Sequence, residues 1–366
     1  MSEKEQKTPE VQPQCSFDEN IDQRLNIGVV SNYADSEETR ILLTPEACGI
    51  LVSSGHKVTI EKDLGIDINF TDDDYAAYGA TVADREKVLS LPVVLSYRPL
   101  NIKDIERMTP GSSLLCMFDN TLFDRKVIDA FTRQKITLGC LNGMVSHTDV
   151  PVFADVIDEI DGRAAIMYAE ESISFLGGGK GVLLAGVAGI NPCEVLIIGT
   201  GTKVNYAALS AIAVGATVTV MDNDISSLQC ARQFCGEHLV TCAIHPKVLL
   251  NRVKTADVII LDNCTREFEM PRNLASAMKP NVYILDLVDT EPSQSVPRTV
   301  AMAMSNILVN FLEEMAGKGG MEGMLMTTPG VQEGIVTFRG RLVDKLIASF
   351  LGIHAVDISL LIAGGN

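Results

Sequence analysis

Residues 194–222, EVLIIGTGTKVNYAALSAIAVGATVTVMD, restrict the fold more than any other stretch. An apolar run, Val195 to Ile198, meets Gly199 and Gly201; an alanine-rich helical stretch follows, and a second strand, Thr217 to Met221, ends on Asp222. A β-turn-α-β unit of this kind suits a pyrophosphate. Its glycines let the backbone approach, its helix N-terminus faces the charge, and its terminal acid accepts ribose hydroxyls. Gly199, Thr200, Gly201, Thr202, Lys203, Val204, Asp222 and Asn223 are therefore the candidate dinucleotide-binding residues. A carboxylate at Asp222 suits a free 2′-hydroxyl and repels a 2′-phosphate, which selects NAD over NADP. Val204 replaces the third glycine of G-x-G-x-x-G, so a wider core is expected there, and Lys203 offers phosphates a cation. The plainer alternative is a doubly wound sheet whose crevice is empty.

At 366 residues the chain exceeds one ordinary core and fits two domains. A formal net charge of -17 repels nucleic acid and anionic membrane surfaces, so neither is an expected partner. No apolar run reaches the ~18 residues of a membrane helix, and the start, MSEKEQKTPE, lacks a signal peptide's apolar core. A cytoplasmic protein is expected. The nine cysteines are scattered without a C-x-x-C pair, and read as small core residues in a reducing compartment.

Along the chain, residues 1–24 are polar and without period, as in a disordered leader. Strands are expected at Asn26 to Ser31 and Lys57 to Glu61, with Thr44-Pro45-Glu46 opening a helix between them. Pro92 to Tyr97 and Ser112 to Phe118 are further strands. Ligands of open α/β sheets lie beyond the carboxyl ends of strands, so Ser96, Tyr97, Arg98 and Asp119 are candidate pocket residues. Strand caps in solvent are the commoner alternative. Lys135 to Leu141 is one more strand. From Pro151 to Leu176 a long helix is expected to connect two domains, its acids on one face and Ile157, Ile160, Ala164, Met167 and Tyr168 on the other. Gly177 to Gly181 fails as a phosphate loop because Gly181, not Ser or Thr, follows Lys180, and a mobile loop is expected. Past Asp222, alternating helices and strands complete a six-strand wound pattern, ending at Val282 to Leu287. Met302 to Met315 then carries the chain back to the first domain as an apolar-faced helix. His147 is a lone loop histidine, and His238 and His245 lack metal-ligand spacing, so no metal is expected.

From Ile27 onward the chain resembles the superfamily of alanine dehydrogenases and the pyridine nucleotide transhydrogenase N-terminal region, most closely the alanine dehydrogenases. The resemblance rests on Thr39-Arg40-Ile41-Leu42-Leu43-Thr44-Pro45, Ser53-Ser54-Gly55-His56-Lys57-Val58, Asp73-Asp74-Tyr75 with Gly79-Ala80, Gly181 to Leu184 through Gly189, the nucleotide unit, and Ser295-Val296-Pro297-Arg298-Thr299. It implies an α/β fold of two Rossmann-like doubly wound domains separated by a cleft, the first completed by C-terminal helices. The expected bounds are 25–148 with 300–366 for the substrate domain and 149–299 for the NAD-binding domain. The activity it implies is hydride transfer from the α-carbon of L-alanine to NAD, giving pyruvate and ammonia, in a homo-oligomer. Arg40 matches the family's carboxylate-binding arginine, for which a planar guanidinium fork is apt.

The chain departs from that pattern at three places. Leu95-Ser96-Tyr97-Arg98-Pro99 lacks the family's lysine, Asp119 follows the strand after which the family has its histidine, and only Thr290 to Gln294 separate Asp289 from Ser295. Asp289 stands near the position of the family's acid. Arg40, Arg98, Asp119 and Asp289 are accordingly the candidate catalytic residues. Three readings stand open: an amino-acid dehydrogenase with a substituted pocket, a weakened homologue that binds nucleotide or a partner in a structural or regulatory role, and a dehydrogenase for another 2-amino or imino acid.

Overall fold

The computed structural model describes residues 24–32, 37–118, 124–146, 148–262 and 272–363. Nearly all of the leader, with Asp119 and His147, lies outside them. Two sheets organise the chain. In the first, β1 (Asn26–Val30), β2 (Lys57–Glu61), β3 (Thr81–Ala83), β4 (Val93–Ser96), β5 (Ser113–Cys116) and β6 (Thr137–Cys140) run parallel in the order β3-β2-β1-β4-β5-β6. In the second, β7 (Glu194–Ile198), β8 (Thr217–Asp222), β9 (Val240–Ala243), β10 (Val258–Leu261) and β11 (Tyr283–Asp286) run parallel in the order β11-β10-β7-β8-β9. Five strands, not the expected six, form this sheet among the described residues. In both sheets the chain winds outward on one side of its first strand and resumes on the other. That leaves a switch point between β1 and β4 and another between β7 and β10.

Both faces of each sheet are covered, which explains why these strands read as unbroken apolar runs. Alternate β4 residues enter opposite cores: Val93 and Leu95 one, Val94 the other. In β7, Val195 and Ile197 face one core while Leu196 and Ile198 face another. The expected helix start is present, with Thr44 Oγ1 accepting from the Ala47 N–H at 3.3 Å ahead of the helix Pro45–Ser53. Five of the seven described cysteines are buried and all seven are free, although Cys230 is exposed.

The helix Val152–Ile173, 22 residues or about 33 Å long, passes from the first sheet to the second. Of the expected apolar face, Ile160 and Ala164 are buried and Ile157 and Tyr168 partly so, but Met167 is 40% exposed and the acid Asp161 only 1%. Gly162 explains the difference. A Cβ there would stand 2.3 Å from the carbonyl oxygen of Lys203 and 2.9 Å from the nitrogen of Ala207. The connector thus meets the helix Thr202–Ala213 backbone to backbone, and Asp161 is carried in with it. Val204 turns into the core with Val195, Val218 and Val220. The close approach expected at the third glycine position falls at Gly162 instead.

The helix Pro297–Gly317 returns to the first domain and buries Met304, Leu308, Leu312 and Met315. Two strands absent from the sequence reading follow. β12 (Ile335–Phe338) pairs antiparallel with β6, and β13 (Arg341–Leu342) pairs antiparallel with β12. The turn between them puts Arg339 (φ 47) and Gly340 (φ 76) in the left-handed region, as a two-residue hairpin requires. The Gly177–Gly181 segment, expected to be mobile, is held by Lys180, whose Nζ lies 2.5 Å from Asp257 Oδ1. Gly162→Ala is expected to destabilise the fold by about 1–3 kcal/mol through overpacking. Urea unfolding followed by circular dichroism checks this, and a change below about 0.5 kcal/mol would contradict the contact.

Candidate functional site

Between the two switch points lies a cleft of about 340 Å³. Arg40, Tyr97, Arg98, Met117 and Asn142 line the first-domain wall; Lys203, Leu287, Val288 and Glu291 line the opposite one, with Ile157, Asp158 and Asp161 of the connector between them. The carboxyl end of β4 therefore delivers Tyr97 and Arg98 to the cleft, while Ser96 lies outside its lining and Asp119, expected after β5, is outside the described residues. Ser96 is buried and donates its hydroxyl to Asn32 Oδ1 at 2.9 Å. Asn32 Oδ1 also accepts from the Arg98 N–H at 2.8 Å, which fixes the strand end beneath the arginine.

Arg40 is 1% exposed and elaborately satisfied. Its Nε donates to Glu38 Oε1 at 2.7 Å, Nη2 to Glu38 Oε2 at 2.6 Å, and Nη1 to Ser293 Oγ at 2.8 Å. Nη2 also bonds Glu291 Oε2, and the same oxygen accepts from Arg98 Nη2. Arg98 Nε reaches Glu38 Oε2 at 3.0 Å, and the Arg40 guanidinium lies 4.3 Å over the Tyr97 ring. Burial alone would raise the Glu38 and Glu291 carboxyls, but the two arginines hold both below the ordinary carboxylate range. Two cations and two anions leave this wall formally neutral. The same environment disables Tyr97 and Cys140 as nucleophiles, since burial raises the phenol and pushes the thiol up to about 12.

On the other side the cleft meets Lys203, which follows the glycine turn. Gly199 (φ 116) and Gly201 (φ 143) adopt backbone angles that L side chains rarely take, and a Cβ on Gly199 would stand 2.2 Å from the carbonyl oxygen of Asp262. Asp222 ends β8 and accepts from Thr200 Oγ1 at 2.9 Å and from the Asp224 N–H at 2.8 Å. The turn, the helix N-terminus and the acid stand in the order a dinucleotide needs, so the backbone fits one. Asn223 is exposed beyond Asp222. Lys203, expected to face phosphates, turns toward carboxylates: its Nζ is 3.5 Å from Asp161 and 3.8 Å from Asp158. Thr202 Oγ1 meets Asp155 Oδ1 at 3.4 Å. The helix N-terminus is worth about 0.3–1 kcal/mol to an anion. The neighbouring carboxylates oppose an anion there, and Lys203, the nearby cation, is already paired with two of them. These acids therefore weaken the turn as an anion site.

Of the four expected catalytic residues, Arg40 and Arg98 meet in the cleft. Asp289 is exposed and outside the cleft lining, and Glu291, two residues on, takes the inward place. The shortness of the Thr290–Gln294 segment causes this, because the chain turns at once into the short 3-10 helix Pro292–Ser295 and aims Glu291 at the arginines. Glu38, Asp158, Asp161, Glu291 and Ser293 escaped the sequence reading. The one available signal was Gly162, a small residue inside a long helix that marks a close approach and pulls its acidic neighbours inward.

Two wound α/β domains thus face each other across a cleft, with Arg40 and Arg98 on one wall and Lys203 on the other. The chain belongs to the alanine dehydrogenase/PNT family: the model of its N-terminal domain matches residues 28–155 and that of its C-terminal domain residues 164–265. It is 24% identical over 378 residues to an alanine dehydrogenase of Geobacillus stearothermophilus, covering 93% of this chain and 100% of that one. A solved L-alanine dehydrogenase superposes with a TM-score of 0.79 at 22% identity, over 90% of this chain and 99% of the other. A transhydrogenase from Sinorhizobium meliloti gives 0.71 at 16% identity, over 88% and 100%. Among the described residues no helix is long and apolar enough to cross a membrane.

Asp158 yields a pH prediction. Burial, and after it the acids Asp161, Asp262 and Asp155, raise its carboxyl to about 6 against the pull of Lys203. The unfolded chain then loses this proton first, near pH 4, so the native state loses relative stability as pH climbs from about 4 to 6. Asp158→Asn should be more resistant to urea than the parent at pH 8, with the gap shrinking below pH 6. A gap that is constant between pH 4.5 and 8 would contradict the raised carboxyl.

Proposed function

We propose that this chain is an NAD-dependent oxidoreductase of the alanine dehydrogenase type, acting on a small 2-amino acid or its 2-oxo acid. The observation that carries the reading is the opposition, across one cleft, of the Arg40 and Arg98 guanidinium groups and Lys203, which follows the Gly199–Thr202 turn in the first turn of its helix. The arginines would hold the substrate carboxylate by charge-assisted hydrogen bonds. Gly199, Gly201 and the following N–H groups would hold the diphosphate, and Asp222 the ribose hydroxyls. A bound nicotinamide supplies a hydride acceptor for the α-carbon. The protein's contribution is alignment and exclusion of water, with the Tyr97 ring keeping Arg40 flat against the first-domain wall. A cytoplasmic homo-oligomer, without nucleic-acid or membrane partners, belongs to the same reading.

A second reading, a nucleotide-binding homologue with a structural or regulatory role, is favoured by the internal pairing of both arginines and by the acids around Lys203. Under the first reading NADH binds saturably, read by its own emission because the chain has no tryptophan. Asp222→Ala should weaken binding about tenfold or more, the effect of losing a hydrogen bond to a charged group. No saturation at millimolar NADH removes the cofactor.

Turnover is tested with NAD and a panel of amino acids at alkaline pH, where deprotonated amine is abundant. Arg40→Lys keeps a positive charge beside Glu38 and loses the fork, so kcat/KM should fall at least about 30-fold, equivalent to about 2 kcal/mol. Equal traces from parent and variant favour the second reading. A preferred amino acid other than alanine assigns the pocket to a different substrate.

A further inference from the structure

Glu38 and Glu291 both pair with the arginines, but they do so differently. Glu38 is 3% exposed, lies two residues before Arg40, and grips Nε and Nη2 from the side. By itself it keeps Arg40 from being a lone buried cation, the condition that is most destabilising for a buried charge. Glu291 is 36% exposed, comes from across the cleft, and sets one oxygen on the Nη2 groups of both arginines. That is where an entering carboxylate would sit: partly hydrated, on the cleft wall, between two guanidinium groups.

We propose that Glu291 is a tethered occupant of the carboxylate subsite and thereby sets the ligand class: a carboxylate enters only by displacing Glu291 from Arg40 and Arg98. This rests on reading the arginine pair as that subsite. A carboxylate held on a short tether has an effective concentration of order millimolar or above. The apparent affinity of a competitor falls by the fraction of time the subsite is free. A ligand that offers a carboxylate alone repeats what Glu291 already supplies. A 2-amino acid offers more, because its ammonium group meets the displaced Glu291 and faces Asp158 and Asp161 in the same cleft. The selected class is therefore the 2-amino acid over the bare 2-oxo acid.

The test is calorimetric titration of pyruvate and of L-alanine into the full chain, beside Glu291→Gln and Glu291→Asp. Glu291→Gln should bind pyruvate at least tenfold more tightly than the parent and gain less for alanine. Adding Arg98→Met to it should abolish the gain. Glu291→Asp, one methylene shorter and less able to bridge both arginines, should give a smaller gain, and serves if the glutamine variant does not fold. Unchanged or weaker pyruvate binding in both variants, or no pyruvate binding in any form, overturns the proposal. An NADH titration run in parallel separates that result from failure of the cofactor reading, which shows as loss of NADH saturation in the parent.

Discussion

The buried guanidinium of Arg40 is the contact on which the arrangement of the two domains depends. A charge removed from water needs its partners in place, and losing one leaves the others uncompensated in a poorly polarisable interior. Arg40 meets this requirement with groups from both sides of the cleft: Glu38 from its own segment, Ser293 and Glu291 from the segment after β11. Ser293 passes the link on, its N–H donating to Asp161 Oδ1 at 2.8 Å, and Asp161 pairs with Lys203 at the start of the nucleotide-unit helix. A polar chain thus runs from the arginine wall to the glycine turn. The two halves of the cleft share one set of charges, and the state of one wall is felt at the other.

That sharing bears on the chemistry. A cleft of this family carries cations for a substrate carboxylate and a turn for a diphosphate, both anionic. Here each cation already faces acids, Arg40 and Arg98 with Glu38 and Glu291, and Lys203 with Asp158 and Asp161. The geometry of a dehydrogenase is retained while its electrostatics are turned inward. If the arginine pair is the carboxylate subsite, as proposed above, ligand entry becomes an exchange of ion pairs in which recognition depends on what the ligand offers beyond its negative charge.

Much of the fold was legible because doubly wound sheets write themselves into sequence as buried apolar runs separated by helices. Lys57 to Glu61 was read to the residue, and the nucleotide unit nearly so. The C-terminal hairpin was not legible, since Arg339 does not advertise the left-handed turn it adopts and the strands beside it are short. In the site, Arg98 was found from its position at the end of a strand and Arg40 from its place in the motif that resembles the family's. Glu291 and Asp161 were missed because their placement is decided by long-range packing: a short loop aims one inward, and the neighbouring Gly162, pressed against a second helix, draws in the other. For Asp161 the sequence offers only the adjacent glycine, and for Glu291 only the shortness of its segment.

The position of β12 has a consequence for how the molecule forms. The second sheet is continuous in sequence, so it can assemble once the chain through β11 has left the ribosome. The first sheet cannot finish then, because its edge beyond β6 is supplied by residues 335–342, which are made after every strand of the second sheet. Until they arrive, β6 presents an open, apolar-flanked edge, the kind of surface that recruits stray strands. The early half must wait, half-dressed, until the whole second sheet has been made, and its exposure to misassembly lasts at least that long.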